Sequence, residues 1–471
     1  MKNRPAFTSC ALVLLLWSIV TGCVHRPANQ PLTRYVPAEG YRFTNTAHAA
    51  NSDELFVILA FSGGGTRAAA FSFGALEELR DTRITWNGNE RRLLDEVDLI
   101  SSVSGGSFTA AYYGLYREKL FQDFPEKFLY RNVTLALAVR LLNPVNWYRL
   151  ASPYFDRIDM AAEFYDTHIF GSRSFGDLHS VDARPFIVLN ATDMSLVSRF
   201  EFTQSQFDVI GSDLSSYPVA RGVAASSAFP FLLSPLTLRN YPKPSNYTTP
   251  QWVEDALEDR QLAPREFGYA TAIKSYLETT NRPYIHLLDG GLSDNIGLRG
   301  PAFAMSSVQN LWSLKDLLNT KIKHLLVITV NAKTDGSREW DKKQRAPGIL
   351  GVASVVSTGP MGNYSDETVQ YITDLVDTYN QEVKTSRQAH LRDPSIPELH
   401  EVKYHHVEVS FQDVPDEKER RFLNSLPTTY NLCREQIDRL RAAARQIIHN
   451  SKILSDLRKD LQAEQNFEKR Q

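Results

Sequence analysis

Cysteine is nearly absent from this chain, which has three cysteines in 471 residues: Cys10, Cys23 and Cys433. Cys10 lies in an apolar run near the N terminus and is expected to be lost with it, and Cys23 has a separate role described below. A framework of structural disulfides is therefore not expected. Cys433 falls in a helical pattern, where a thiol usually behaves as a small, partly buried apolar side chain.

The sequence also lacks an excess of charge and the spacings of known metal sites. Its formal net charge is -2, so it has no strongly basic face for nucleic acid. Neither H-E-x-x-H nor C-x-x-C occurs, so no metal and no other cofactor is predicted. The composition is that of a globular protein, 42% hydrophobic and 23% charged, and the length suits one large domain or two ordinary ones.

Apolar runs long enough to cross a membrane are missing, but a shorter one lies near the N terminus. Two basic residues precede the ten-residue run Ala11–Val20, a pattern typical of a secretory signal. The residues Val20–Cys23 resemble a bacterial lipobox, in which the cysteine becomes the lipidated first residue. We therefore expect 1–22 to be a lipoprotein signal peptide and Cys23 to carry the anchor, with an ordinary signal and a chance cysteine as the alternative.

The residue after Cys23 indicates which membrane the protein is expected to reach. The polar stretch beyond it indicates how the domain is connected to that membrane. In lipoproteins of this kind an Asp after the cysteine often marks retention at the inner membrane, and this chain has Val24 there. The resemblance therefore implies export to the bacterial outer membrane, facing the periplasm or the surface. Residues 23–52 are polar and lack periodicity, so we interpret them as a lipidated tether between the membrane and the domain.

A catalytic domain is predicted over 53–335, where continuous apolar runs alternate with helical patterns. Such runs are typical of strands buried on both faces and indicate an α/β fold with a mostly parallel central sheet flanked by helices. Helical insertions are expected at about 121–175 and 236–282, and a C-terminal extension with a strand and a long helix over 336–471. The predicted strands are Leu55–Phe61, Val97–Val103, Pro185–Asn190, Tyr284–Leu288, His324–Val330 and Lys403–Val409.

Ser104 is the strongest candidate for a catalytic residue. It follows the predicted strand Val97–Val103, and two glycines ending at Gly106 separate it from a helix predicted over about 107–119. A tight strand–turn–helix of this kind pushes a serine hydroxyl out of the sheet, and small neighbours let the turn close. The usual elbow pattern is G-x-S-x-G, and Ser102 occupies its first glycine position. A Ser/Gly loop without chemistry is the alternative for this motif taken alone.

A second motif, Ser62–Arg67, places Gly63, Gly64 and Gly65 between a buried strand and a helix predicted over 68–80. Bare amides in such a loop bind negative charge, either a phosphate or the oxyanion that develops during acyl transfer. A P-loop would need a lysine after a longer loop, and a dinucleotide site would need G-x-G-x-x-G. Both are missing, so an oxyanion hole is favoured, while a simple tight turn stays open.

Asp289 follows the predicted strand Tyr284–Leu288 and precedes Gly290 and Gly291. We expect it at the carboxyl edge of the sheet, where open α/β folds place their sites, with a turn-forming Asp as the alternative. His286 is three residues away on the same strand, so its side chain should point to the opposite face. A Ser-His-Asp triad through His286 is therefore disfavoured.

Taken together and in this order, the three motifs resemble the patatin-like phospholipase family. Its hallmarks are a GGGxR loop, a G-x-S-x-G elbow and a D-G-G motif, matched here by Gly63–Arg67, Ser102–Gly106 and Asp289–Gly291. The likeness extends over about Leu55–Ala332. One departure is Ser102, which replaces a glycine and removes no reacting group.

The resemblance implies a patatin-like three-layer sandwich and a Ser104–Asp289 dyad without a catalytic histidine. Asp289 would take the proton from Ser104, an acyl-enzyme would form, and the amides of Gly63–Gly65 would bind the oxyanion. Arg67 is expected to order that loop or to assist the oxyanion. The expected activity is hydrolysis of acyl esters in phospholipids, lysophospholipids or other lipids, at a membrane reached through the lipid anchor. A non-catalytic, lipid-binding lipoprotein scaffold is the alternative.

Overall fold

The structure is a computed structural model that describes residues 29–46, 51–86, 88–179, 184–230, 232–258, 260–261, 264–306, 322–334, 344, 349–393 and 401–468. The strands are β1 (Gln30–Pro31), β2 (Leu55–Phe61), β3 (Arg83–Trp86), β4 (Asn89–Arg92), β5 (Val97–Val103), β6 (Phe186–Asp193), β7 (Ser198–Glu201), β8 (Ser212–Asp213), β9 (Leu236–Arg239), β10 (Tyr284–Asp289), β11 (His324–Asn331) and β12 (Lys403–Ser410).

Helices fill the connections between these strands and most of the C-terminal part. They are α1 (Gly65–Asp81), α2 (Gly105–Tyr116), α3 (Leu120–Phe124), α4 (Val133–Leu142), α5 (Pro144–Leu150), α6 (Arg157–Tyr165), α7 (Phe175–His179), α8 (Gln204–Val209), α9 (Val219–Ser226), α10 (Gln251–Glu258), α11 (Pro264–Leu277), α12 (Arg299–Ser306), α13 (Ile349–His390), α14 (Glu417–Asn424), α15 (Arg434–His449) and α16 (Lys452–Glu468).

An eight-stranded mixed sheet forms the centre of the fold. Its strand order is β12-β11-β2-β5-β6-β10-β9, and β7 also pairs with β6. The strands from β12 to β6 are parallel, whereas β10 runs antiparallel to both β6 and β9. The predicted α/β class with a mostly parallel sheet flanked by helices is confirmed, and the antiparallel end of the sheet is an addition that the apolar pattern did not predict.

The sheet lies in the core because its central strands are apolar on both faces. All seven residues of β2 and all seven of β5 are buried. Burying one Leu, Ile or Val side chain contributes about 1.5–3 kcal/mol, so these strands hold the loops that follow them in place. Those loops carry the glycine-rich motif after β2 and Ser104 after β5.

The interpretation of 23–52 as a polar tether needs correcting for residues 29–46, which pack on the domain. The short strand β1 pairs with β8, and the Tyr41 hydroxyl donates to the carbonyl of Ile187 at 2.9 Å. Tyr41 and Phe43 are buried. A few aromatic side chains in a polar stretch are enough to bury it, because each covers a large apolar area. Residues 1–22 and Cys23 lie outside the described residues.

Both edge strands of the sheet come from segments outside the predicted strands of the catalytic domain, one in an expected insertion and one in the expected C-terminal extension. The edge strand β9 comes from the predicted helical insertion at 236–282, and β12 comes from the extension predicted over 336–471. Helix α15 packs directly on α1, where a Cβ added to Gly74 would lie 2.4 Å from the carbonyl oxygen of Arg441. Cys433, expected to be partly buried, is exposed immediately before α15.

Candidate active site

Ser104 lies at a sharp turn between β5 and α2. Its backbone has φ 50° and ψ -116°, a conformation that non-glycine residues rarely adopt. Strain of this kind persists only where the surrounding structure enforces it, and it is characteristic of a nucleophile elbow. The side chain is almost buried, with 7% of the residue exposed. The structure thus has the tight strand–turn–helix expected at Ser104, and the role of Ser104 as a nucleophile stays a prediction.

The two glycines after Ser104 are required by close backbone packing. A Cβ on Gly105 would lie 2.0 Å from the carbonyl oxygen of Gly65, and one on Gly106 would lie 2.7 Å from Cβ of Phe61. No side chain fits at either distance. The elbow therefore presses against the end of β2 and against the glycine-rich loop.

Ser102, which replaces the first glycine of the elbow pattern, belongs to a buried serine network. Its hydroxyl donates to the carbonyl of Val188 at 3.1 Å and accepts from the hydroxyl of Ser107 at 3.2 Å. The hydroxyl of Ser226 lies 2.9 Å from that of Ser107 and accepts from the Ser104 amide at 2.9 Å. The extra hydroxyl at position 102 is thus satisfied, which explains why a serine is tolerated there.

Three amides of the glycine-rich loop were predicted to bind an oxyanion, and two of them are available for it. The Gly63 N–H donates to the carbonyl of Asn295 at 3.0 Å, so it is already used within the fold. Gly64 and Gly65 have φ of +144° and +61°, and within the described residues their amides have no hydrogen-bond acceptor. The assignment of Gly63 as an oxyanion donor is therefore corrected, because the backbone of Asn295 occupies its N–H.

Arg67 holds the glycine-rich loop to two distant segments. Its guanidinium donates to the carbonyl of Ala332 at 3.0 Å, to the carbonyl of Leu426 at 2.6 Å and to the hydroxyl of Thr428 at 3.1 Å. Burial lowers the pKa of Arg67 to about 10, which leaves the group charged at neutral pH. Of the two roles predicted for Arg67, these contacts describe the ordering role.

Asp289 reaches the same place from the antiparallel strand β10. It stands opposite Ala191 on β6, while Val103, just before Ser104, stands opposite Asn190 on the other side of β6. Asp289 was expected at the carboxyl edge of the sheet, and it lies near the carboxyl ends of β5 and β6, although β10 runs antiparallel to β6. It lies level with Ser104 because the last three residues of β10, Leu287–Asp289, pair with the last three of β6.

The Asp289 carboxyl is buried and lies near the Ser104 hydroxyl. Its Oδ1 accepts from the Gly291 amide at 2.9 Å. Burial raises the pKa of Asp289 to about 6, and hydrogen bonds from the Gly291 amide and the Ser104 hydroxyl oppose that rise. Gly290 is needed for the turn, since a Cβ there would lie 2.3 Å from the carbonyl oxygen of Asn190. The carboxyl is thus poised as a base near neutral pH.

His286 takes no part in this arrangement. It lies on the exposed side of β10, and its Nδ1 is 3.0 Å from the hydroxyl of Thr237 on the neighbouring edge strand. The prediction that His286 points away from Asp289 is confirmed. Among the described residues there is no cluster of three or more side chains able to hold a metal ion.

Tyr430 is a residue of the site that sequence reasoning missed. Its ring lies 5.7 Å from that of Phe108 on α2, and its hydroxyl lies near Ser104 and Ser227. Burial, together with the nearby Asp289 carboxylate, raises the pKa of Tyr430, so the phenol stays protonated. The sequence Leu426-Pro427-Thr428-Thr429-Tyr430 contains no catalytic pattern, and only its contacts in the folded chain reveal it.

The segment that carries Tyr430 also pairs with the glycine-rich loop. The amide of Thr66 donates to the carbonyl of Thr429 at 2.9 Å, and a Cβ on Gly65 would lie 2.5 Å from that oxygen. The carbonyl of Tyr430 in turn accepts from the amide of Val133 at 3.1 Å. The site is therefore closed on one side by a strand-like stretch from the C-terminal part of the chain.

Comparisons with known proteins give one family match and several distant structural similarities. A family model described as patatin-like phospholipase matches residues 59–301. The chain is similar to human GIVD cytosolic phospholipase A2 at 12% identity and a TM-score of 0.42, covering 94% of this chain and 69% of that one. The same human protein in complex with methyl gamma-linolenyl fluorophosphonate and terbium chloride gives 13% identity and a TM-score of 0.37, covering 88% of this chain and 60% of that one.

VipD from Legionella pneumophila is more distant, with 11% identity and a TM-score of 0.27, covering 91% of this chain and 73% of that one. Comparison with curated proteins by sequence gives no significant match. The family match is the specific finding, since it covers slightly more than half of the 471 residues and includes all three motifs. The chain therefore belongs to the patatin-like phospholipase family, whose members are lipid acyl hydrolases.

Proposed function

We propose that this chain hydrolyses acyl esters of lipids, with Ser104 as nucleophile and Asp289 as general base. The observation that carries the proposal is the Ser104 hydroxyl beside a buried carboxyl, at an elbow held in a strained conformation. A serine hydroxyl is a weak nucleophile until a base accepts its proton, and Asp289 is placed to accept it.

In the first half of the reaction, Ser104 Oγ attacks the carbonyl carbon of the ester while its proton passes to Asp289. The carbonyl oxygen becomes an oxyanion, which accepts hydrogen bonds from the amides of Gly64 and Gly65. One preorganised donor of this kind typically lowers the barrier by about 3–4 kcal/mol. The bond to the alcohol oxygen then breaks, Asp289 returns the proton to that oxygen, and an acyl-enzyme remains on Ser104.

In the second half, water replaces the alcohol. Asp289 takes a proton from the water as its oxygen attacks the acyl carbonyl, and the same two amides bind the second oxyanion. The bond to Ser104 Oγ breaks, the proton returns to Oγ, and the fatty acid leaves. A raised pKa near 6 suits both roles, because the carboxyl must accept and release a proton at neutral pH.

Hydrolysis of a short-chain chromogenic ester by the full chain tests this proposal. We expect Ser104→Ala and Asp289→Asn each to lower kcat/KM by about a thousandfold or more, because both remove a group that acts in the transition state. Ser72→Ala is the matched control, since the Ser72 hydroxyl is buried in α1 without a hydrogen-bond partner among the described residues. That variant should keep the wild-type rate.

Folding must be checked beside activity, by circular dichroism of each variant. If Ser104→Ala or Asp289→Asn folds and keeps the wild-type rate, the proposed dyad is wrong. If the wild type hydrolyses neither this ester nor a phospholipid, the non-catalytic scaffold is the better description.

We also propose that the chain is an exported outer-membrane lipoprotein anchored at Cys23. The support is the sequence Val20–Cys23 with Val24 after it, which lies outside the described residues. Among the described helices, none combines the length and the apolar composition that crossing a bilayer requires. Radiolabelled palmitate should be incorporated by the wild type and not by Cys23→Ser, and the wild type should fractionate with outer membranes. Labelling that survives Cys23→Ser would contradict the anchor.

A further inference from the structure

Helices α4 and α5 expose more large apolar side chains than any other part of the described structure. We call the group the α4–α5 surface, and its members are 50 to 70% exposed: Leu135, Val139, Leu142, Val145, Trp147 and Tyr148. A scattered exposed leucine needs no explanation, but a contiguous set of this kind marks a surface that contacts another partner.

The two helices are firmly built, so these side chains are not exposed by poor packing. Asn132 and Asn143 cap α4 and α5, accepting from the amides of Leu135 at 2.8 Å and Val145 at 3.1 Å. The Trp147 indole donates to the carbonyl of Leu141 at 2.6 Å. The hairpin is therefore a defined element that presents its apolar residues outward.

Two arginines fasten the inner side of the hairpin to the helix behind it. The Arg140 guanidinium lies 5.2 Å from the ring centre of Phe164, and that of Arg149 lies 3.8 Å from the ring centre of Phe155. Arg149 also forms an ion pair with Glu163 on α6. With the arginines directed inward, the outer side is left to aliphatic and aromatic groups.

The helix that begins the α4–α5 surface contacts the candidate active site at its N-terminal end. Helix α4 begins at Val133, whose amide donates to the carbonyl of Tyr430, and the Tyr430 side chain lies near Ser104. On the other side, Tyr165 of α6 packs edge-on against Phe108, the rings being 4.9 Å apart. Whatever contacts this surface thus lies next to the groups that cover the nucleophile.

The chemistry of the surface selects its partner. Residues 131–151 contain three arginines and no carboxylate, so nothing in this stretch repels anionic headgroups. Trp147 and Tyr148 are the residue types enriched where a bilayer meets water. Helices of ten and seven residues are too short to span a membrane, but they can lie in the interface with their apolar side buried.

We propose that the α4–α5 surface docks the domain on a lipid bilayer and places Tyr430 and Ser104 at the membrane. The choice of a bilayer over a protein partner rests on the proposed function, because an enzyme that cleaves lipid esters must draw its substrate from a lipid phase. The docking itself is a property of the surface and does not require catalysis.

Sedimentation with vesicles of phosphatidylethanolamine and phosphatidylglycerol tests the docking. The full chain is used with Cys23→Ala in every sample, so that no acyl anchor contributes. We expect Leu142→Gln with Val145→Gln to weaken vesicle binding by at least about tenfold, because each side chain loses the free energy of apolar burial. Leu391→Gln is the matched control, since Leu391 is 84% exposed at the end of α13, outside the α4–α5 surface.

Activity separates this inference from the proposed function. The double variant should hydrolyse a soluble short-chain ester at the wild-type rate and hydrolyse vesicle phospholipid at least about tenfold more slowly. Unchanged vesicle binding by the double variant, or an equal loss in Leu391→Gln, overturns the docking. So does a wild type that self-associates through this surface without binding vesicles. If no ester is hydrolysed by the wild type, the proposed function fails, and vesicle binding still decides the docking.

Discussion

The part of the chain that carries the motifs and the part that follows it contribute to the site in different ways. Residues 59–301 contain the proposed reacting groups, Ser104 and Asp289, at positions that local sequence patterns identify. The C-terminal part supplies Thr429, which pairs with the glycine-rich loop, and Tyr430, whose hydroxyl lies near Ser104. The proposed reacting groups can therefore be recognised from short sequence motifs. The contacts that fix their geometry come from distant parts of the chain.

Helix α1 shows how the second part supports the first. Its N-terminal end carries the glycine-rich loop and is held by Arg67 to the carbonyl of Leu426. Its far end is held by α15, where Arg441 pairs with Glu77 and His449 lies 2.9 Å from Glu78. The C-terminal part thus braces α1 at both ends and is not an accessory to a finished domain.

The largest effect should come from breaking the contact between the elbow and the glycine-rich loop. Gly105→Ala would put a Cβ 2.0 Å from the carbonyl oxygen of Gly65, so the backbone must move. We expect kcat/KM to fall by about a thousandfold, with several kcal/mol lost from the free energy of unfolding, roughly the cost of a severe overpacking.

Gly268→Ala in α11 is the control for that change, because a Cβ there meets no atom within 4 Å. It should keep full activity and stabilise the helix by up to about 1 kcal/mol. Urea unfolding and ester hydrolysis measure both variants. A Gly105→Ala protein with wild-type activity would show that the close contact is not needed.

The dependence of kcat/KM on pH tests whether the buried Asp289 carboxyl, with its raised pKa, is the general base. Asp289 must be deprotonated to act, so activity should be constant above its pKa of about 6 and fall below it. The expected slope is about tenfold per pH unit between pH 6 and 4. A constant rate down to pH 4.5, measured on an uncharged soluble ester with the fold intact, would exclude a base with this pKa.

Losing the contacts that hold the glycine-rich loop should lower activity less than losing a reacting group. Arg67→Gln loses the hydrogen bonds to Ala332, Leu426 and Thr428, so the loop with its two free amides becomes less ordered. We expect kcat to fall by about 30-fold with KM little changed, a fraction of what one oxyanion donor is worth. Arg441→Gln, at the far end of α1, should mainly lower stability; an equal kcat loss there would refute a specific role for Arg67.

The smallest effect is predicted for the hydroxyl of Tyr430. Tyr430→Phe keeps the ring against Phe108 and removes the hydroxyl near Ser104, so we expect kcat to fall by about five- to tenfold, the size of one neutral polar interaction with the nucleophile. Tyr276→Phe is the control, because its buried hydroxyl bonds Asp193 at 2.8 Å, away from Ser104. It should lower stability and leave kcat unchanged. The reverse pattern in the two variants would contradict the assignment.

The features of the fold and site that the sequence predicts correctly are those formed by residues close together in the chain. Strands Leu55–Phe61 and Val97–Val103 have the predicted bounds, because a strand buried on both faces must be a continuous apolar run. Helix α1 begins at Gly65 and not at 68, since the glycine loop itself forms the first turn. The tight turn at Ser104 is also predictable from the sequence, because the small residues that it requires are its immediate neighbours.

Contacts between residues far apart in the chain cannot be predicted from one sequence. Nothing in the pattern around Gly63 indicates that Asn295 occupies its amide, and nothing around Tyr430 indicates that it meets Ser104. The direction of β10 was missed for a similar reason: an apolar run predicts a strand but not the partner or the sense of its pairing. Such contacts are set by tertiary packing across hundreds of residues.

Reaction of the full chain with an alkyl fluorophosphonate, followed by mass mapping of the adduct, tests the central claim most directly. Such a reagent captures a serine activated by a base, so the site of the adduct identifies the nucleophile without depending on which lipid is the substrate. The account predicts one adduct, on Ser104, absent from Ser104→Ala and formed far more slowly in Asp289→Asn. An adduct on another serine, or labelling of Ser104 at the same rate in Asp289→Asn, would contradict it.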